Sequence, residues 1–125
     1  MNQNRNDKVF EQLKTVFFES LSLCHSLLGD DAFRQPFSDK DRKKKDKKAN
    51  PVSISLFEAM MCSVARLSDS EKEKLLERRI DYLKQYQDMF RNEYFRNEIS
   101  KSTLNSKSVY YRFSKMEELV STVLK

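Results

Sequence analysis

One glycine and two prolines in 125 residues are too few turn formers for a β-barrel or sandwich, which needs a turn every 8–12 residues or so. No stretch alternates apolar and polar residues well enough to be a strand. Long helices remain, and the chain reads as an all-α bundle of four to five helices. At this length a single domain spanning 1–125 buries roughly two-thirds of its unfolded surface. Apolar residues make up 38% and charged residues 34%, against roughly 45–50% and 25% in ordinary globular domains. The core is therefore thin and the surface strongly charged.

Apolar residues at steps of three and four mark the helices. Phe10, Leu13, Val16, Phe17, Leu21, Cys24, Leu27 and Leu28 share one face of a first helix, Asp7 to Leu28. Gly29, the only residue type that enters a left-handed C′ position without a Cβ penalty, stops it. Ala32-Phe33-Arg34 is then a short turn pinning Phe33 to the core. A second helix, Ser53 to Leu67, carries Phe57, Met60, Met61 and Val64, with Ser55 and Glu58 at capping-box spacing. A third, Ser68 to Asn92, starts with a Ser68–Glu71 capping box and carries Leu75, Leu76, Ile80, Leu83, Tyr86, Met89 and Phe90. One or two turns follow around Tyr94, Phe95 and Ile99. The last helix, Ser106 to Leu124, has Ser106 or Ser108 as its cap. These stripes predict burial of Phe17, Leu21, Phe57, Met61, Leu83 and Phe113.

Between the first two helices the character changes. Residues 39–48, DKDRKKKDKK, hold seven basic and three acidic side chains, so nearly all of the chain's net charge of +5 sits there. Such a segment cannot bury enough surface to offset the entropy of ordering it, and it reads as a mobile basic loop at about 35–51. Clustered Lys and Arg attract phosphate through counterion release, which makes Lys40, Arg42, Lys43, Lys44, Lys45, Lys47 and Lys48 candidate nucleic-acid contacts. No aromatic residue lies between Ser38 and Pro51 to stack on bases. Arg78, Arg79 and Arg112 stand near Glu residues and are expected in ion pairs.

Other chemistries find no residues. His25 is the single histidine and has no zinc-type ligand set around it. One glycine excludes the glycine-rich phosphate loops of Walker and Rossmann type. Cys24 and Cys62 form no CxxC pair and are expected as buried, reduced thiols. No catalytic residue, cofactor or metal is expected, and neither a membrane span nor a secretory leader is seen, so the chain reads as cytoplasmic. Nine Phe and five Tyr are many for a thin core. Rings spread all round the helix at Val109-Tyr110-Tyr111-Arg112-Phe113, and an extra aromatic face of this kind can mark a contact with another domain or subunit, although packing within the bundle explains most such stripes.

The series Phe33-Arg34, the basic loop, Leu56-Phe57-Glu58-Ala59 opening a helix, Phe95 with Ile99 and Ser100, Thr103, and Val109 to Phe113 resembles the C-terminal helical region of the GmrSD-type family of ParB-like restriction and phage-defence proteins. Members of that family carry an N-terminal ParB-like domain with a DGQQR-type motif for nucleotide hydrolysis or DNA nicking, often with an HNH-type nuclease domain. Neither motif occurs here, so no catalytic residue carries over. The resemblance implies a detached C-terminal module: a non-catalytic scaffold or interaction module that packs on a ParB-like nuclease/NTPase domain or another protein. The alternative is a small nucleic-acid-binding protein using the Lys-rich loop.

Overall fold

The computed structural model describes residues 2–36, 50–101 and 105–125, with side chains in the first helix from Asn6 onward. Among these residues there are six helices and no strand. They are α1 (Asn2–Leu28), α2 (Ile54–Val64), α3 (Asp69–Glu77), α4 (Arg79–Met89), α5 (Glu93–Ser100) and α6 (Ser106–Leu124), with a 3-10 turn at Gly29–Asp31. The expected basic loop falls, from 37 to 49, outside the described residues, and with it all seven candidate contacts from Lys40 to Lys48.

The first helix stops where its sequence says. Gly29 adopts φ 61°, and nothing lies within 4 Å of where a Cβ would stand, so backbone conformation rather than crowding selects glycine. Phe33 also has a positive φ, 65°, which a bulky residue tolerates only when its surroundings hold it. Its ring is buried against Phe57, 4.8 Å between centroids. Its carbonyl accepts from the Ser53 N–H at 2.8 Å, beside an antiparallel bridge between Arg34 and Val52. The Arg34 guanidinium donates to the Asp30 and Asn50 carbonyls, and the Asn50 amide donates to the Gln35 carbonyl at 2.8 Å. The two flanks of the basic segment are thereby stitched together.

The core lies where α2 crosses α6. Leu56, Ala59, Met60 and Val64 meet Met116, Leu119, Val120 and Val123, all buried. Ser53, rather than Ser55, caps α2 by accepting from the Leu56 N–H at 3.2 Å; Ser55 itself is buried. The Ser68–Glu71 capping box forms as its spacing requires. Asn105, not a serine, caps α6 through the Lys107 N–H at 2.9 Å.

The expected helix from Ser68 to Asn92 is two helices, which raises the count above four to five. At Arg78 the backbone turns to φ −100°, ψ 27°, and no Gly or Pro announces it. The break lets two consecutive arginines reach two different helix ends. Arg78 Nη1 donates to the Val123 carbonyl at 2.7 Å, and Arg79 Nε donates to the Leu27 carbonyl at 3.2 Å. Cations on C-terminal carbonyls also complement the helix dipoles. Both arginines thus cap helices instead of pairing with Glu.

The inward stripe keeps its phase across the break, with spacings of seven, four and four residues. Leu75, Tyr82, Tyr86 and Phe90 face inward, while Leu76, Leu83 and Ile80 stay exposed, Ile80 by 85%. The buried rings form a ladder: Tyr82 stacks on Tyr86 (6.4 Å), Tyr86 meets Phe90 (5.1 Å) and Phe90 meets Phe95 (5.0 Å). Of the six side chains expected in the core, Met61 is buried; Leu21, Phe57 and Phe113 are half-buried, and Phe17 and Leu83 are exposed. Arg112, expected in an ion pair, is only 2% exposed, and its Nη1 donates to the Glu98 carbonyl at 3.4 Å. Cys24 is buried as expected, whereas Cys62 is exposed.

Candidate interaction surface

At 100° per residue, Val9, Phe10, Leu13, Val16 and Phe17 occupy the same arc of α1 as the buried Ser20, Leu23, Cys24, Leu27 and Leu28. The first group continues the core face of the second. Yet every residue from Asn6 to Glu19 is exposed, and burial starts at Ser20. Phe10 and Leu13 are each 64% exposed and Phe17 45%. The helix has 27 residues and so is about 40 Å long, longer than the roughly 36 Å across a compact chain of this size. With every described side chain from Asn6 to Glu19 exposed, its first half stands clear of the body.

The inner end of this stripe joins the body through aromatic rings. Phe17 lies edge-on to Phe18 (5.6 Å) and 6.4 Å from Phe57, which in turn packs on Phe33. Lys72 Nζ reaches Glu19 Oε2 at 3.1 Å, fixing the point where α1 leaves α3. Residues 2–19 hold three acidic and three basic side chains, so the projecting half is neutral and the net charge of +5 lies in the remainder of the chain.

The aromatic face expected around Tyr110 is present in part. Tyr110 is exposed, but Tyr111 packs edge-on to Tyr94 at 4.9 Å with Lys115 Nζ 5.8 Å above its ring, and Phe113 is half-buried. One flank of the basic segment reaches this side: Gln35 Nε2 donates to Ser100 Oγ at 3.0 Å. Tyr86 Oη donates to the Arg34 carbonyl at 2.6 Å, tying that flank to α4.

Reactive groups in the described residues are placed as structural ones. Burial pushes the Cys24 thiol up to about 12, which leaves almost no thiolate at neutral pH. Burial likewise raises the phenols of Tyr82 and Tyr86 well above their ordinary value. His25 Nε2 stands 3.9 Å from Asp30 Oδ1 on the open surface. The described residues include no group of three His, Cys, Asp or Glu side chains placed to hold a metal, and no described helix is long and apolar enough to cross a membrane.

Comparison of the chain with protein-family models, curated proteins and solved structures finds no match. The residues and their geometry carry the functional reading.

Sequence reasoning had the stripe of α1 but assigned all of it to the core. No signal in the stripe itself separates the two halves: Val9 to Leu28 spans about 30 Å, which a body roughly 36 Å across is long enough to cover.

Proposed function

We propose that the chain is a non-catalytic helical interaction module that engages another polypeptide through the uncovered face of α1. One observation carries this: Val9, Phe10, Leu13, Val16 and Phe17 continue the core face of α1 into solvent. Contiguous apolar patches of this size on soluble domains mark docking surfaces, and an isolated helix of this length is marginal in water without packing on one face. The resemblance to the GmrSD-type family adds a wider setting, a defence nuclease system whose ParB-like domain is a further partner. Mixing the chain with such a domain tests that setting.

The face is tested by placing a photo-reactive side chain at Leu13 and, as a control, at Glu73 on exposed α3, and irradiating cells that express each. A polypeptide adduct of defined mass from position 13 and none from position 73 is expected. Equal labelling from both, or none from position 13, refutes the reading.

One observation favours the alternative, nucleic-acid binding by Lys40 to Lys48. The Gln35–Ser100 hydrogen bond brings a flank of that run beside α5, which carries the exposed Tyr94. Replacing Lys43, Lys44 and Lys45 with Gln would then lower the slope of log affinity against log salt by up to about 2–3. On the interaction-module reading there is no appreciable duplex affinity near physiological salt to lose.

A further inference from the structure

We infer that the occupant of the α1 face is a second copy of this chain, with the two helices packed antiparallel about a two-fold axis near Leu13. The inference rests on the reading of α1 as an interaction face and names its partner. Three observations favour a copy over other occupants.

The first is area. The exposed parts of Val9, Phe10, Leu13, Val16 and Phe17 amount to on the order of 500 Å² of apolar surface per chain. Two such faces with their polar rims would bury roughly 1,500 Å², the size of a standard specific interface with the apolar share of a homodimer. The basic segment of the same chain is a poor cover by composition, since Phe37 is its one large apolar residue between 37 and 49.

Charge gives the second. The projecting half of α1 is neutral while the rest of the chain holds the excess of +5. A copy docking through α1 meets no like-charge repulsion there. Antiparallel packing opposes the two helix dipoles and sets the two bodies at opposite ends of the helix pair. Parallel packing would set the bodies side by side.

Shape supplies the third. A two-fold interface must be complementary to itself. With Leu13 on the axis, antiparallel register sets Phe10 opposite Val16 of the copy and Phe17 opposite Val9. Each ring faces a small β-branched side chain, the large-against-small alternation that lets facing layers interdigitate.

Sedimentation of the intact chain from about 1 to 200 µM, the range that reads micromolar dissociation constants, tests the pairing. A concentration-dependent rise from 14.9 kDa to twice that mass is expected, lost in Leu13→Glu, while in dilute solution, where the parent too is monomeric, the helical circular dichroism of the two is the same. In a Cys62→Ser background, Leu13→Cys should form an intermolecular disulfide with itself. Val9→Cys should cross-link to Phe17→Cys but not to itself, because in this register two Val9 positions lie about 12 Å apart along the axis, beyond disulfide reach. Self-linking of Val9→Cys overturns the antiparallel arrangement. A chain that stays monomeric throughout overturns the second copy. If the monomeric chain still gives a position-13 adduct with a different polypeptide in cells, the interaction module stands without this inference; if neither appears, both fall.

Discussion

Tyr82 and Tyr86 sit one turn apart on α4, both buried and stacked on each other, yet their hydroxyls have opposite circumstances. Tyr86 Oη donates to the Arg34 carbonyl at 2.6 Å. Tyr82 Oη has no hydrogen-bond partner among the described residues. Tyr86→Phe removes a hydrogen bond whose net worth is about 0.5–1.5 kcal/mol and leaves its acceptor poorer, for a total cost of about 1–2 kcal/mol. Tyr82→Phe removes only a hydroxyl that was desolvated without return, so it should be neutral or stabilise by about 1 kcal/mol. The two deletions are chemically identical and should differ by about 1–3 kcal/mol. Urea unfolding reads this directly. With a slope of about 1–3 kcal/mol per molar urea for small domains, the two variants' midpoints should separate by about 1 M at mid-range values and by no less than about 0.3 M, with unchanged slopes. A Tyr82→Phe variant as destabilised as Tyr86→Phe would refute the hydrogen-bond accounting and show that the Tyr82 hydroxyl has a partner of its own.

Along the α1 face, Leu27→Ala should cost about 2–5 kcal/mol in a dilute sample, since Leu27 is fully buried, while Leu13→Ala should stay within about 0.5 kcal/mol; thermal melts at low micromolar concentration compare them. Ser68→Ala should cost about 0.5–2 kcal/mol by opening the capping box of α3. The Ser68 backbone and side-chain hydrogen bonds hold Glu71 below its usual 4.5, so its contribution is complete above pH 4.5 and fades as pH falls beneath that value; Glu71→Ala and the parent should converge in acid melts, whereas Ser68→Ala, which loses the Glu71 N–H to Ser68 Oγ bond at every pH, stays below the parent. At alkaline pH the sign reverses. The folded-state Cys24 thiol is raised from 9.0 to about 12, so stability is intact below pH 9 and is lost as pH climbs through 12, by up to about 1.4 kcal/mol per unit. In Cys24→Ala the decline in urea midpoint should begin about one unit higher, where Tyr82 and Tyr86 take over.

The helical class was legible because glycine scarcity and three-and-four spacing are local signals that tertiary context does not reverse. Gly29 and the Ser68–Glu71 box were legible for the same reason, each being a backbone requirement met by one residue type. The break at Arg78 was not. It comes from two distant carbonyls, at Leu27 and Val123, and nothing in residues 68–92 encodes them. Ile80 and Leu83 were misread for another reason: the buried stripe runs Leu75, Tyr82, Tyr86 and Phe90, and Ile80 and Leu83 lie to one side of it. The burial of Arg112 was not legible, because a buried guanidinium depends on partners such as the Glu98 carbonyl, which the packing of α5 on α6 supplies. The face of α1 was legible as apolar but not as uncovered. Periodicity reports which residues share a face, whereas coverage depends on how far the body extends, and here it ends at Ser20.

Amide hydrogen exchange along α1, measured at a series of protein concentrations, tests most directly the claim that another chain covers what this body leaves open. Residues 20–28, packed in the core, should be protected at every concentration. Residues 7–19 should exchange quickly in dilute solution, since an unsupported helix is marginal, and should gain protection as concentration rises and a second copy lays its own α1 against them. Equal protection of residues 7–19 at all concentrations would contradict the account, because it would mean that the chain covers this face by itself.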